Sequence, residues 1–316
     1  MQGTVIKSTG KWYWIKTEED EVLRSRIVGK FRLNNVKITN PVAVGDIVEM
    51  EISYEDDENI GIIKKIMPRE NYVVRQSPRK KHELHLLASN VDQAVIIMTI
   101  VEPMLKQGFI DRFLLTTAPY NIPTVIVFNK ADVYDEDALA MYNYLKDIYE
   151  KIGYTVCLVS AEKGEGLEEL KEILQDKITL VAGQSGVGKS TLVNAVQPGL
   201  DIFTYEISEH SGKGQHTTTF AEMHELEFGG SIIDTPGIKT LSFNNLTAKD
   251  IAHNFLEFFE LSSECKFGGD CLHRSEPQCA VKEAIEEGEA SELRYINYLT
   301  LLEETESQNY WEKHDM

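Results

Sequence analysis

Long apolar runs are missing from this 316-residue chain: the longest, Ala94–Val101, stops at Glu102. A membrane-spanning helix needs roughly 20 apolar residues, so no membrane partner is expected. Cysteine is scarce, and four residues cannot staple a chain of this size, which favours a reducing compartment over secretion. The first twenty residues carry Trp12, Tyr13 and Trp14 among charges, which is no signal peptide. The expected location is therefore the cytoplasm. Positive charge is also in deficit, with 32 Lys and Arg against 51 Asp and Glu and a formal net charge of −19. That balance excludes a broadly basic surface for coating nucleic acid. Any polyanion contact is left to local patches, of which Arg75–His82 (RQSPRKKH) is the most compact. Internal repeats and low-complexity segments are lacking as well.

What is present divides the chain. Its length suggests two or three domains. Residues 1–68 read as five short alternating segments, Gly3–Lys7, Trp12–Lys16, Val22–Ile27, Val44–Ile52 and Ile60–Ile66, separated by turn residues. That rhythm predicts a small β-barrel, OB-fold-like or SH3-like. Pro68 and the basic run read as a linker over 69–90. From Val91 to Phe243, apolar runs of strand length alternate with helical stretches, which predicts a parallel sheet covered on both faces. Residues 244–316 read as helices around a Cys/His cluster.

Two motifs in the central region point to a nucleotide's phosphates. Gly183-Gln184-Ser185-Gly186-Val187-Gly188-Lys189-Ser190, followed by Thr191, fits GxxxxGK[ST] between an expected strand, Ile178–Ala182, and an expected helix. Its glycines let backbone N–H groups converge on phosphate oxygens at a helix N-terminus. Lys189 would reach the β- and γ-phosphates, and Ser190 would ligate Mg²⁺. Asp234-Thr235-Pro236-Gly237 follows a second apolar strand, so Asp234 is placed to hold Mg²⁺ and the Gly237 N–H to meet the γ-phosphate.

Asn129-Lys130-Ala131-Asp132 ends the strand Thr124–Phe128 and selects guanine. Asp132 can accept from both N1–H and the exocyclic amine, donors that adenine lacks, while Asn129 meets the base edge and the Lys130 stem lies along the ring. An unpaired carboxylate in such a site rejects the wrong ligand by about 10⁴–10⁵-fold. Ser160-Ala161 closes the strand Thr155–Val159, where a backbone N–H can meet guanine O6. These motifs resemble those of the TRAFAC-type GTPases in a circularly permuted order, with NKAD and Ser-Ala before the phosphate loop and DTPG last.

Between phosphate loop and DTPG lies Gly212-Lys213-Gly214-Gln215-His216-Thr217-Thr218-Thr219. One threonine of the three should complete the Mg²⁺ shell, and the spacing does not say which. Ile238 occupies the position where many GTPases place a water-orienting glutamine. His216 is the nearest group able to orient or deprotonate that water; a structural or RNA-facing histidine, or a catalytic group from a partner, are the alternatives. Farther on, Cys265-x₅-Cys271-x-His273-x₅-Cys279 supplies three thiolates and an imidazole, a closed tetrahedral set that fits structural zinc. Cys157 lies in an apolar strand and reads as a core residue.

Taken together, the permuted motifs, GQSGVGKS, the GxGxHTTT loop, the N-terminal barrel and the C-x₅-C-x-H-x₅-C cluster resemble the bacterial ribosome small-subunit-dependent GTPases, the RsgA family, over essentially the whole chain. The resemblance implies an OB-fold barrel, a circularly permuted α/β P-loop GTPase domain and a zinc-bearing helical domain. It also implies a GTPase stimulated by the 30S subunit, acting in its late maturation and touching 16S rRNA. A monomer binding GTP and GDP is expected. In the family's pattern His216 positions the water and Thr218 is the switch threonine, with Lys189 beside them in catalysis. The competing readings are an RNA-binding scaffold that uses GTP and GDP as a conformational sensor, a P-loop ATPase or kinase with a coincidental NKAD, and a metal-transport regulator.

Overall fold

The structure is a computed structural model that describes residues 1–27, 40–55, 58–76, 84–200, 221–234 and 246–314. Its N-terminal strands β1 (Gln2–Ser8), β2 (Tyr13–Thr17), β3 (Val22–Ile27), β4 (Ile47–Glu55) and β5 (Glu58–Ile66) run in the order β1-β2-β3-β5-β4. β4 pairs back onto β1, which closes a five-stranded barrel. The closure follows from alternation: Val5, Tyr13, Ile15, Val48, Met50 and Ile63 point inward and form one buried cluster, while intervening residues such as Arg24 are exposed.

Strands β6 (Tyr72–Gln76) and β7 (Leu84–Ser89) pair antiparallel within the stretch read as a linker. The hairpin forms because Val73, Val74, Leu86 and Leu87 are buried between barrel and sheet; residues 77–83, with most of the basic run, lie outside the described residues. Barrel and hairpin are joined by a buried ion pair. Asp46, with no solvent exposure, accepts from Arg69 Nε and Nη2 at 2.6 Å each and from Ser89 Oγ at 2.6 Å. Gly45, at φ +93°, lets the backbones meet there, since an added Cβ would lie 2.0 Å from the Ser89 carbonyl oxygen.

The central sheet contains β8 (Gln93–Met98), β9 (Thr124–Phe128), β10 (Thr155–Leu158), β11 (Ile178–Gly183), β12 (Glu222–Glu225) and β13 (Ser231–Asp234) in the order β10-β9-β8-β11-β13-β12. All pairings are parallel except those of β12, which bridges β13 to β1 of the barrel and which the sequence did not signal. Every residue of β8 and β9 is buried. Ala94, Ile96 and Met98 pack with α1 (Gly108–Thr117) and α2 (Glu136–Lys151). Val95 and Ile97 pack on the other face with α3 (Leu167–Leu174) and α4 (Lys189–Val196). This two-sided burial explains runs with no polar alternation. The loops after β9, β10 and β11, and Asp234 at the end of β13, then lie together at the carboxyl ends of parallel strands, where open α/β sheets bind ligands.

The C-terminal part comprises α5 (Ala248–Asn254), α6 (Leu256–Leu261), α7 (Ala280–Glu286) and α8 (Glu292–His314). The stretch Ala248–Phe259 is not one helix: it breaks at Phe255, whose extended backbone turns its buried ring onto Phe258 and Tyr298 at 5.5 and 5.1 Å. Phe255, Phe258 and Tyr298 belong to the same apolar cluster as α1 and α2, so these helices share the sheet's core. Among the described residues no helix is long and apolar enough to cross a membrane.

A second buried ion pair holds this junction. Arg294, 2% exposed, donates to Asp111 of α1, and its Nη2 donates to Glu257 of α6 at 2.9 Å. Asp111 also accepts from Tyr149 Oη at 2.9 Å and from Asn297 Nδ2. Burial pushes the Asp111 carboxyl above the usual carboxylate range, with Arg294 and its hydrogen bonds acting the other way. Burial works against the Arg294 charge, yet Asp111 and Glu257 hold the guanidinium well above its ordinary value. Removing one partner of such a pair leaves a buried charge uncompensated. Arg294→Met, which leaves the Asp111 carboxylate without its cation, is expected to lower unfolding stability by about 3–5 kcal/mol, and adding Asp111→Ala should recover part of that loss in urea titrations.

Candidate nucleotide site and metal centre

The phosphate loop runs from Gly183, the last residue of β11, into Lys189, the first of α4. Gly186 and Gly188 both adopt positive φ, +85° and +84°. At Gly188 an added Cβ would lie 2.5 Å from Asn129 Nδ2, so sterics as well as backbone conformation require glycine. Val187 plugs into the cluster beneath α3 and α4, which anchors the middle of the loop. Ser190 is buried in the first turn of α4, with Thr191 exposed beside it.

Asp234 ends β13, and its carboxylate bonds the Lys189 ammonium, both side chains being less than one-fifth exposed. The cation meant for phosphate and the anion meant for metal thus neutralise each other across the site. The guanine-reading loop is tied in by Asn129, 1% exposed. Its Nδ2 donates to the Val187 carbonyl at 3.0 Å, and its Oδ1 accepts from Ala161 N–H at 3.1 Å. The Asn129 amide thus holds the phosphate loop, the NKAD turn and the Ser-Ala loop in one arrangement. Ser160 Oγ donates to the exposed Asp132 carboxylate and accepts from Lys163 N–H at 3.0 Å. Lys130 stands in the left-handed region at φ +66°, and its Nζ donates to the Glu102 carbonyl at 2.6 Å.

Sequence reasoning missed Tyr134. Its hydroxyl donates to the Asn129 carbonyl at 2.9 Å and accepts from Ile100 N–H at 2.8 Å, so it props the NKAD turn against the loop after β8. An aromatic two residues beyond Asp132, just before a helix capped by Asp135, was the available signal. His216, Thr217, Thr218, Thr219, Gly237 and Ile238 lie outside the described residues.

Cys265, Cys271, His273 and Cys279 converge with all four ligating atoms within 4.8 Å of one another, all buried. Sγ of Cys279 lies 3.9 Å from Sγ of Cys265 and of Cys271, and 3.3 Å from His273 Nδ1. Four bonds of about 2.3 Å in a tetrahedron place sulfurs about 3.8 Å apart, so the set fits a metal ion. Outer contacts fix the loop: Glu276 accepts from the N–H groups of Leu272 and Arg274 at 2.9 and 2.7 Å. Tyr295 and Tyr298 donate to the carbonyls of His273 and Leu272. Burial pushes the Cys271 thiol up to about 12 and holds the His273 imidazole below its ordinary value. A cation that binds here therefore displaces protons from sulfur. Cys157 is a buried strand residue, as expected.

The RsgA GTPase family model matches residues 66–244, and the RsgA N-terminal domain model matches residues 2–63. This chain is an RsgA-family GTPase. The small ribosomal subunit biogenesis GTPase RsgA of Flavobacterium psychrophilum is 48% identical over 303 residues, spanning 96% of this chain and 93% of the relative. Its counterpart in Christiangramia forsetii is 46% identical over 310 residues, 98% of both chains. Among solved structures, YjeQ from Thermotoga maritima superposes with a TM-score of 0.76 at 36% identity, covering 96% of this chain and 98% of that one. YloQ, described as a circularly permuted GTPase, gives a TM-score of 0.72 at 32% identity, covering 97% and 95%.

In this RsgA-family site the steric demand at Gly188 is directly testable. Gly188→Ala forces a Cβ into a left-handed backbone and against Asn129, and GDP affinity measured by fluorescence titration is expected to fall about tenfold or more.

Proposed function

We propose that this chain hydrolyses GTP in the biogenesis of the small ribosomal subunit. The observation that carries the reading is the convergence of a complete phosphate loop, Asp234 and the Asn129-tied guanine loops at one end of the parallel sheet, in a chain of the RsgA family. Lys189 leaves Asp234 for the β- and γ-phosphate oxygens, and the Gly183–Thr191 backbone cradles them. Asp132, with Ser160 and Ala161, reads guanine. Ser190, Thr218 and Asp234 would hold magnesium, which would supply positive charge against the phosphates. Gly237 offers its N–H to the γ-phosphate. Ile238 cannot orient water, and we assign that task to His216. Cys265, Cys271, His273 and Cys279 hold zinc in a closed structural site.

The finer reading is a cytoplasmic monomer acting late in 30S maturation, contacting 16S rRNA, with turnover raised by the subunit. The names of the curated relatives support the subunit as partner. The net charge of −19 confines RNA contact to local basic segments such as Arg75–Lys81.

GTP turnover should be slow alone and rise saturably with purified 30S but not 50S subunits; a flat response to 30S would refute subunit dependence. His216→Ala should keep GDP affinity while lowering 30S-stimulated turnover by about 10²–10⁴-fold; normal turnover would remove His216 from the chemistry. Stripping metal with a strong chelator, or Cys271→Ser, should reduce helical ellipticity and weaken 30S binding, and unchanged ellipticity would argue against a structural ion.

A further inference from the structure

One row of paired residues crosses from the barrel into the nucleotide site. Lys7 of β1 stands opposite Glu222 of β12, and Glu222 stands opposite Asp234 of β13. Residues directly opposed in antiparallel strands project to the same face, with Cβ atoms about 4.5–5.5 Å apart. Side-chain pairs complete the row at both ends. Lys7 Nζ lies 2.8 Å from Glu222 Oε2, and Lys189 bonds Asp234. From barrel to phosphate loop the charges therefore read positive, negative, negative, positive.

Two features make this row sensitive to what occupies the nucleotide site. First, no residue of β12 is fully buried and only Met223 packs against the core, so its position depends largely on its ladder partners and its ion pairs. Those partners are β13 on one side and the barrel on the other, where Ser8 N–H donates to the Ala221 carbonyl at 3.4 Å and Lys16 pairs with Glu225. Second, like charges directly opposite each other are unfavourable, and Glu222 and Asp234 are tolerated because each has its own cation. A nucleotide draws Lys189 to its phosphates and changes the charge balance beside Glu222. The Lys7–Glu222 pair is the next contact in the row.

We propose that the Lys7–Glu222 pair couples the nucleotide state of the GTP site to the barrel, so that β1 is held differently when Mg²⁺ and GTP are bound. The coupling rests on the GTP-binding reading above. By reciprocity, a partner docked on the barrel biases nucleotide affinity by the same factor.

The test is amide hydrogen exchange across Gln2–Ser8 in the full-length protein, with and without Mg²⁺ and a non-hydrolysable GTP analogue. It compares wild type, Lys7→Gln, Glu222→Gln and, as a control, Lys16→Gln, which breaks the neighbouring pair with Glu225. In wild type the analogue should change exchange in this strand by about fivefold or more. Lys7→Gln and Glu222→Gln should each lose that response while retaining analogue binding, and Lys16→Gln should keep it. Analogue binding without any response of β1 in wild type overturns the coupling, as does a response that survives both Lys7→Gln and Glu222→Gln. Failure of wild type to bind the analogue in a parallel titration would instead refute the nucleotide reading itself.

Discussion

A carboxylate with no solvent exposure keeps its charge only beside a cation, and this molecule is assembled around two places where that constraint is met. Asp46 and Arg69 join the barrel to the hairpin that leads into the central sheet. Asp111 and Arg294 join the sheet's helical face to the C-terminal helices. Neither pair need be a large net source of stability, because desolvating both charges offsets most of their attraction. Their effect is geometric: a guanidinium with several fixed partners admits one arrangement of the elements that carry them. Three sequence regions thereby become one body, with the nucleotide loops in its middle.

The permuted order of motifs has a structural meaning in that body. Sheet position depends on which strand lies beside which, and β8 sits between β9 and β11 whatever order the chain visits them. Asn129 shows how loops from distant parts of the chain become a single site, because one buried amide bonds two of them at once. With DTPG placed last, the chain leaves the phosphate site directly toward α5 and the metal-binding loop. Their core is continuous with that of α1 and α2.

Much of this was legible because the signals were local and doubled. The phosphate loop needed only its eight residues and a flanking strand and helix, and α4 begins at Lys189 as the motif requires. The strand Thr124–Phe128 was read to the residue, since burial on both faces leaves an unbroken apolar run. The Cys₃His set converged because its spacing already implied a closed ligand shell. What escaped the sequence was of another kind. β12 is four residues, Glu222 to Glu225, of which only Met223 is apolar and none is buried, so it carries no hydrophobic pattern. The hairpin inside 69–90 was hidden by the basic residues that lie between its two strands in the sequence. The break at Phe255 comes from packing against Tyr298 on a helix that lies far along the chain, and local propensity does not contain that information. The engagement of Asn129 with two backbones at once is likewise visible only once the loops are side by side.

The pairing of Asp111 with Arg294 also sets a timetable. The two residues are 183 positions apart, and a ribosome extending the chain at about 5–20 residues per second needs about 10–40 s to deliver the second after the first. Throughout that interval the face of α1 that will be covered by α8 is open, and its acidic side chain has no cation. The barrel, closed by its own five strands, can be complete long before. A nascent chain of this protein therefore emerges as a finished barrel followed by an unfinished sheet, and α1 gains its covering helix only after Arg294 has been made.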